Sequence, residues 1–164
     1  MMKSNILLNF SVDKDNNKII VEREFAAPVS KVWAAWTDRR ILDQWWAPKP
    51  WKARTKTMDF KEGGFWLYAM IGPDGTEQWS RADYKTIKPL KSFSGLDAFC
   101  DEKGNIDHKF PVSLWNVRFI SESSDTTVVS VEIHYDNLSD LEKFMEMGFK
   151  EGFTSAMENL DGLL

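Results

Sequence analysis

The chain has 164 residues, a formal net charge of −4 and a sequence pI near 5.3. That length suits one domain spanning residues 1–164, able to bury about 70% of its unfolded surface without help from a disulfide or a metal. The acidic balance excludes a general electrostatic pull toward nucleic acid.

The lone cysteine, Cys100, has no intramolecular partner, which fits a reducing cytoplasm. Met1 to Phe10 carries one Lys and no long apolar run, so no secretory leader is expected. No stretch reaches the roughly 18 apolar residues of a membrane span. Aromatic content is the unusual feature, with 8 Trp and 11 Phe. Such a surplus can line a cavity as well as fill a core.

In chain order, Asn5 to Val12 alternates weakly as a strand, and Asp13 to Asn17 is a polar turn cluster. Lys18 to Phe25 alternates as a strand with one wet face and pairs with the first segment as a hairpin. Pro28 opens a helix in which Val29, Val32, Trp33 and Trp36 form one apolar stripe. Asp38 caps a second short helix carrying Ile41, Leu42, Trp45 and Trp46, which Pro48 and Pro50 end.

Six strand-like segments follow: Lys52 to Phe60, Phe65 to Ile71, Gln78 to Ile87, Leu90 to Phe99, Val112 to Ser121 and Thr126 to Tyr135. Gly63-Gly64 and Pro73-Asp74-Gly75 are turn signals between them. The polar loop Cys100 to Pro111 is expected to be mobile. Ser139 to Glu142 has the capping-box pattern. From Leu141 to Leu160 a broad apolar face predicts one long helix of about six turns, or ~33 Å. Such a helix must lie on something large and apolar. Sequential strands with short turns give an antiparallel meander, so the class is α+β.

The string VEREFAAPVSKVWAAWTD, the run WWAPKPW, the turn DFKEGGFW, the GPDG hairpin and the closing MGFKEGF and ENLDGLL segments resemble one known family. They are similar to the bacterial relatives of the activator of the heat-shock protein 90 ATPase, within the START-like, birch-pollen-allergen-like (SRPBCC) superfamily. The resemblance runs from about Lys18 to Leu164. One departure is Arg39-Arg40, where the family often has Pro-Glu. The resemblance implies a helix-grip fold: a curved antiparallel sheet of about six to seven strands wrapped around a long C-terminal helix, with two short helices early in the chain. It further implies a cavity between sheet and helix. Superfamily members bind lipids, sterols and polyketides, and a few are cyclases or hydroxylase components, so fold alone does not choose an activity.

Candidate cavity residues follow from this picture. Trp45, Trp46 and Trp51 flank the two prolines, as plugs of one end of the core or as the lip of an entrance. Trp66, Tyr68 and Met70 share one strand face and Phe65, Leu67, Ala69 and Ile71 the other. Both faces are apolar, and the family cavity favours the first set. Arg81 and Asp83 are either a polar pair inside the cavity or an ordinary exposed charge ladder. Gly148 and Gly152, read as interior to the final helix, either clear space for a ligand or admit a neighbouring ring. Phe99, Trp115, Phe144, Met145 and Phe149 complete the cavity set.

His108 and His134 have no partners at metal-like spacing, and no phosphate loop, dinucleotide fingerprint or nucleophile elbow occurs. No cofactor or metal is therefore expected. Three functions remain open. The first is a binding protein for a small hydrophobic or amphipathic molecule. The second is an enzyme, cyclase-like or hydrolase-like, drawing on Arg81, Asp83, Asp97, Tyr68 or Tyr84. The third is a protein-interaction module, such as a chaperone partner or a homodimer.

Overall fold

A computed structural model describes residues 8–164. β1 (Leu8–Asp13) and β2 (Lys18–Phe25) form the expected hairpin, in register from Leu8 opposite Arg23 to Asp13 opposite Lys18. The Asp13 carboxylate accepts from the Asn16 backbone and side chain and closes the turn. Residues 5–7 of the expected first strand lie outside the described residues.

Two short helices follow. α1 (Val29–Thr37) starts after Pro28, where a missing N–H has no cost. α2 (Arg39–Trp45) is capped by Asp38, whose side chain accepts from Arg40 N at 2.9 Å. The Trp45 indole donates to the Ala35 carbonyl at 2.9 Å and fixes α2 against α1.

The chain then lays down β3 (Lys52–Met58), β4 (Phe65–Ile71), β5 (Glu77–Lys88), β6 (Ser92–Cys100), β7 (Ser113–Ser123) and β8 (Thr126–His134). All eight strands join one antiparallel sheet in the order β1-β2-β8-β7-β6-β5-β4-β3. The sheet has eight strands rather than six to seven, because every candidate segment pairs. The inner face of the sheet and all the helices share one core, including Ile19, Val21, Trp36, Trp45, Val131 and Ile133.

The C-terminal segment departs from the expected single helix. It is two helices, α3 (Leu138–Glu146) and α4 (Phe149–Asp161). Gly148 lies between them at φ +87°, in the left-handed region that glycine adopts without a Cβ clash. Apolar spacing continues across the break because both helices face the same core. The cap differs as well: the Asn137 side chain accepts from Asp140 N at 2.8 Å, so α3 begins before Ser139 and the Ser139 capping box does not form. α4 is tied down near its end. Arg23 on β2 donates to Asp161, both almost fully buried, and Asn159 Nδ2 donates to the Ala47 carbonyl at 3.1 Å.

The loop after β6, expected to be mobile, is pinned to the outer sheet face. Asp107 N donates to Phe99 O at 2.8 Å, Ile106 bridges to Cys100, and Lys56 Nζ reaches Glu102 O at 2.8 Å. Arg81 reaches the Gly104 carbonyl at 2.8 Å. This loop accounts for the second apolar face of β4, since Leu67 lies within contact range of Gly104 and is buried.

Candidate functional site

A cavity of about 190 Å³ lies between the inner sheet face and the α3–α4 junction. A smaller one of about 40 Å³ lies deeper, toward α1 and α2. Trp46, Asp97 and Trp115 line both and form their common wall. Gln78 and Met147, both exposed, mark where the larger cavity meets solvent.

Period two decides which strand residues reach the cavity. On β4 these are Tyr68 and Met70, with Trp66 on the smaller cavity. On β5 they are Gln78 and Ser80 for the larger cavity, Ala82 and Tyr84 for the smaller. On β6, Phe93, Gly95, Asp97 and Phe99 fall on the same face. From the helices and their junction come Phe144, Gly148, Phe149, Gly152 and Phe153.

Rings give the walls their shape. Trp66 and Tyr68 stack at 4.0 Å between centroids. Trp46 meets Trp66 edge-on at 5.6 Å and Phe153 at 6.0 Å. Phe149 stacks on Phe153 at 5.2 Å and meets Trp115 edge-on at 6.0 Å. Such pairings hold large apolar walls in fixed orientations. Hydrogen bonds fix the indoles further. The Trp46 indole donates to the Tyr68 hydroxyl at 3.0 Å, and the Trp66 indole donates to Thr55 Oγ1 at 3.0 Å. Thr55 in turn donates through its backbone and its hydroxyl to Asp43 on α2, at 2.9 and 2.7 Å.

Asp97 is the polar exception. Among the described residues none hydrogen-bonds its carboxyl; burial, and then the negative charge of Asp83, push its pKa up to about 7. The side chain keeps some accessible surface, yet that surface opens on the cavity, so it is desolvated like a buried group. The chain's three tyrosines, Tyr68, Tyr84 and Tyr135, are all buried. Burial first, then the charge of Asp97, raises the pKa of each, so all three stay neutral phenols at neutral pH. Asp97 is the one ionisable acid, and no Lys, Arg or His appears, among the described residues lining either cavity.

Of the sequence-derived set, Trp46, Tyr68, Met70, Phe99, Trp115, Phe144, Gly148, Phe149 and Gly152 line the larger cavity, and Trp66 the smaller. Five residues lie elsewhere. Trp45 is fully buried in the core and turns toward α1. Met145 packs on the core beside the cavity without lining it. Arg81 and Asp83 point outward, because Ser80, Ala82 and Tyr84 take the inward positions of β5. There they pair at 2.9 and 2.7 Å, with the Arg81 guanidinium over Phe65 at 4.7 Å. Trp51, offered as part of the lip, packs at Gly72 in the β4–β5 hairpin.

Sequence reasoning left Pro48, Gln78, Ser80, Met147 and Phe153 out of the cavity. Asp97, one of the titratable candidates for an enzymatic cavity, does line it, and the alternation Phe93, Gly95, Asp97, Phe99 separates it from Arg81 and Asp83. Cys100 is half-buried, and burial pushes its thiol up to about 11, so it is not a ready nucleophile. Among the described residues no cluster of His, Cys, Asp and Glu could hold a metal, and no helix is long and apolar enough to cross a membrane.

Solved structures of bacterial proteins share this architecture. The crystal structure of protein Ms6760 from Mycobacterium smegmatis shares 31% identity, covers 97% of this chain and 96% of its own, and superposes with a TM-score of 0.88. A solution structure of a protein from Arthrobacter aurescens also shares 31% identity, over 93% of this chain and 88% of its own, at a TM-score of 0.88. The AHSA1 protein SPO3351 from Silicibacter pomeroyi has the same fold at 21% identity, over 88% of this chain and 95% of its own, with a TM-score of 0.70. Among curated proteins none matches. The family model described as activator of Hsp90 ATPase homolog 1-like protein matches residues 26–164, from the end of β2 to the last residue of the chain. With the eight-stranded sheet and its packed C-terminal helices, that match makes this chain a member of the activator of Hsp90 ATPase homolog 1-like family.

Proposed function

We propose that this protein binds a small, mostly apolar molecule in the cavity between the sheet and the α3–α4 junction. The supporting observation is the cavity itself: about 190 Å³, walled by fixed aromatic rings and open beside Met147. A dry apolar cavity of ~150 Å³ takes up benzene in other proteins, so this one suits a molecule of about that size or somewhat larger. Burial of apolar surface at about 25 cal/mol per Å² drives such binding after association costs are met.

Titrating the purified protein with indole, 2-phenylethanol and 1-octanol tests this reading. Saturable change in tryptophan emission and a raised melting temperature are expected, because Trp46 and Trp115 form the cavity wall. If none of the three changes either signal at millimolar concentration, the cavity is not a binding site for small apolar molecules.

A further inference from the structure

We propose that the molecule held in this cavity carries an ammonium group, with Asp97 as its counter-ion and the surrounding aromatic faces as its cage. This rests on the cavity being a ligand site and adds the chemistry of the ligand's polar end.

A carboxyl removed from water is normally met by a cation or by several hydrogen-bond donors. Among the described residues Asp97 has neither, and no Lys, Arg or His lies in the lining. The aromatic lining needs no acid to serve an apolar ligand, and an anionic ligand such as a fatty-acid carboxylate would be repelled. The compensating charge is missing from the wall, and a cationic ligand supplies it.

The remaining lining agrees. Trp46, Tyr68, Phe99, Trp115 and Phe149 present π-systems to the same space. Ring faces attract an ammonium most strongly where water is excluded. The combination of one carboxyl and several rings, with no competing cation, recognises an amine in preference to an alcohol or an acid of the same shape.

The carboxyl must be ionised to act. The titratable groups around it are Tyr68 on β4, Tyr84 on β5 and Tyr135 after β8, with Asp83 on the outer face of β5 and the Cys100 thiol, which burial keeps protonated, at the end of β6. The helices and β7 place no ionisable side chain in the lining. The phenols stay neutral, so Asp97 alone sets the charge of the cavity. Ionisation is more complete at pH 8 than at neutral pH, and an alkylamine is still protonated there. Amine affinity therefore falls as the pH drops from 8 to 5.

The test uses three probes with nearly the same apolar body: 2-phenylethylamine, 2-phenylethanol and phenylacetate. Calorimetric titration at pH 8 is expected to show the amine binding about tenfold more tightly than the alcohol, and phenylacetate most weakly. The amine preference should shrink at pH 5 and be lost in Asp97→Asn, whose melting curve confirms that it is folded. The proposal is overturned if the alcohol equals the amine, if phenylacetate binds best, or if Asp97→Asn keeps the preference. Binding of the alcohol without preference for the amine removes the ammonium and leaves the cavity reading standing. Absence of binding by all three removes both.

Discussion

The indole of Trp46 donates to the hydroxyl of Tyr68 at 3.0 Å, joining the segment after α2 to strand β4 along the cavity wall. Trp46→Phe and Tyr68→Phe should each cost about 1 kcal/mol from the lost hydrogen bond, with Trp46→Phe costing more because ring contacts also go. The double variant should cost less than the two single losses added together, by about 0.5–1.5 kcal/mol in urea unfolding. Strict additivity would mean that the bond contributes nothing to stability.

Asp97 makes stability depend on pH in an uncommon direction. The unfolded carboxyl ionises near its ordinary value of 3.8, and the folded one near 7. Between those values the folded chain holds a proton that the unfolded chain has released, so stability falls as pH rises from about 4 to about 7 and then levels. Asp97→Asn should therefore be nearly neutral at pH 4 and stabilising by about 1–3 kcal/mol at pH 8. Melting curves of both proteins across that range measure the effect. A parallel pair of curves would show that Asp97 is as well solvated folded as unfolded.

The Arg23–Asp161 pair closes the C-terminal end of α4 onto β2 in a nearly dry setting. Removing one partner strands the other charge, so Arg23→Met should lose about 3–5 kcal/mol. Arg23→Met with Asp161→Leu should recover a large part of it, because an apolar pair leaves no stranded charge. A double variant as unstable as the single one would point to lost packing by the Arg23 stem instead.

Two glycines near the cavity should respond differently. A methyl group added at Gly148 would meet no atom within 4 Å, but the φ of +87° strains any residue with a Cβ. Gly148→Ala should therefore cost about 1–2 kcal/mol from backbone strain alone. A Cβ at Gly152 would sit 3.7 Å from Pro48 Cγ, an ordinary contact, and Gly152→Ala should stabilise α4 by about 0.5–1 kcal/mol. Gly152→Leu should then fill the cavity and abolish probe binding while the fold persists. Retained probe binding by Gly152→Leu would place the site elsewhere.

Caps can be told apart in the same way. Asn137→Ala should cost about 1 kcal/mol, and Ser139→Ala should be near neutral, since only Asn137 bonds the free N–H of α3. Equal losses would show that the helix starts at Ser139.

These contrasts mark where the sequence could be read and where it could not. Strand periodicity was clear where one face is packed and the other partly wet, as Val131 and Ile133 show against Glu132 and His134 on β8. β4 was ambiguous because both of its faces are covered, one by the helices and one by the loop after β6. The helix break at Gly148 was hidden because α3 and α4 keep their apolar residues in phase. A glycine in a helix and a glycine ending one leave the same periodic trace. Arg81 and Asp83 share a strand face with Trp79 and Lys85, which left a cavity pair and an exposed charge ladder both open; Ser80 and Tyr84 take the inward parity of β5. Asp97 stood among the titratable candidates, but its isolation exists only in three dimensions, where no Lys, Arg or His among the described residues shares the cavity.

Between β2 and β3 the chain crosses the sheet. β2 is second from one edge and β3 is the opposite edge, so α1 and α2 carry the chain across nearly its whole width. The cavity wall accordingly combines Trp46 after α2, Tyr68 on β4, Asp97 on β6, Trp115 on β7 and Phe149 on α4. No contiguous segment of the chain contains more than a fragment of it. A partly assembled chain thus has nothing to offer a ligand, and any ligand of the cavity is bound by the complete fold alone. At a hundredfold excess over its dissociation constant it would add about 2.7 kcal/mol to stability by mass action. Filling the cavity and completing the fold are two readings of a single equilibrium.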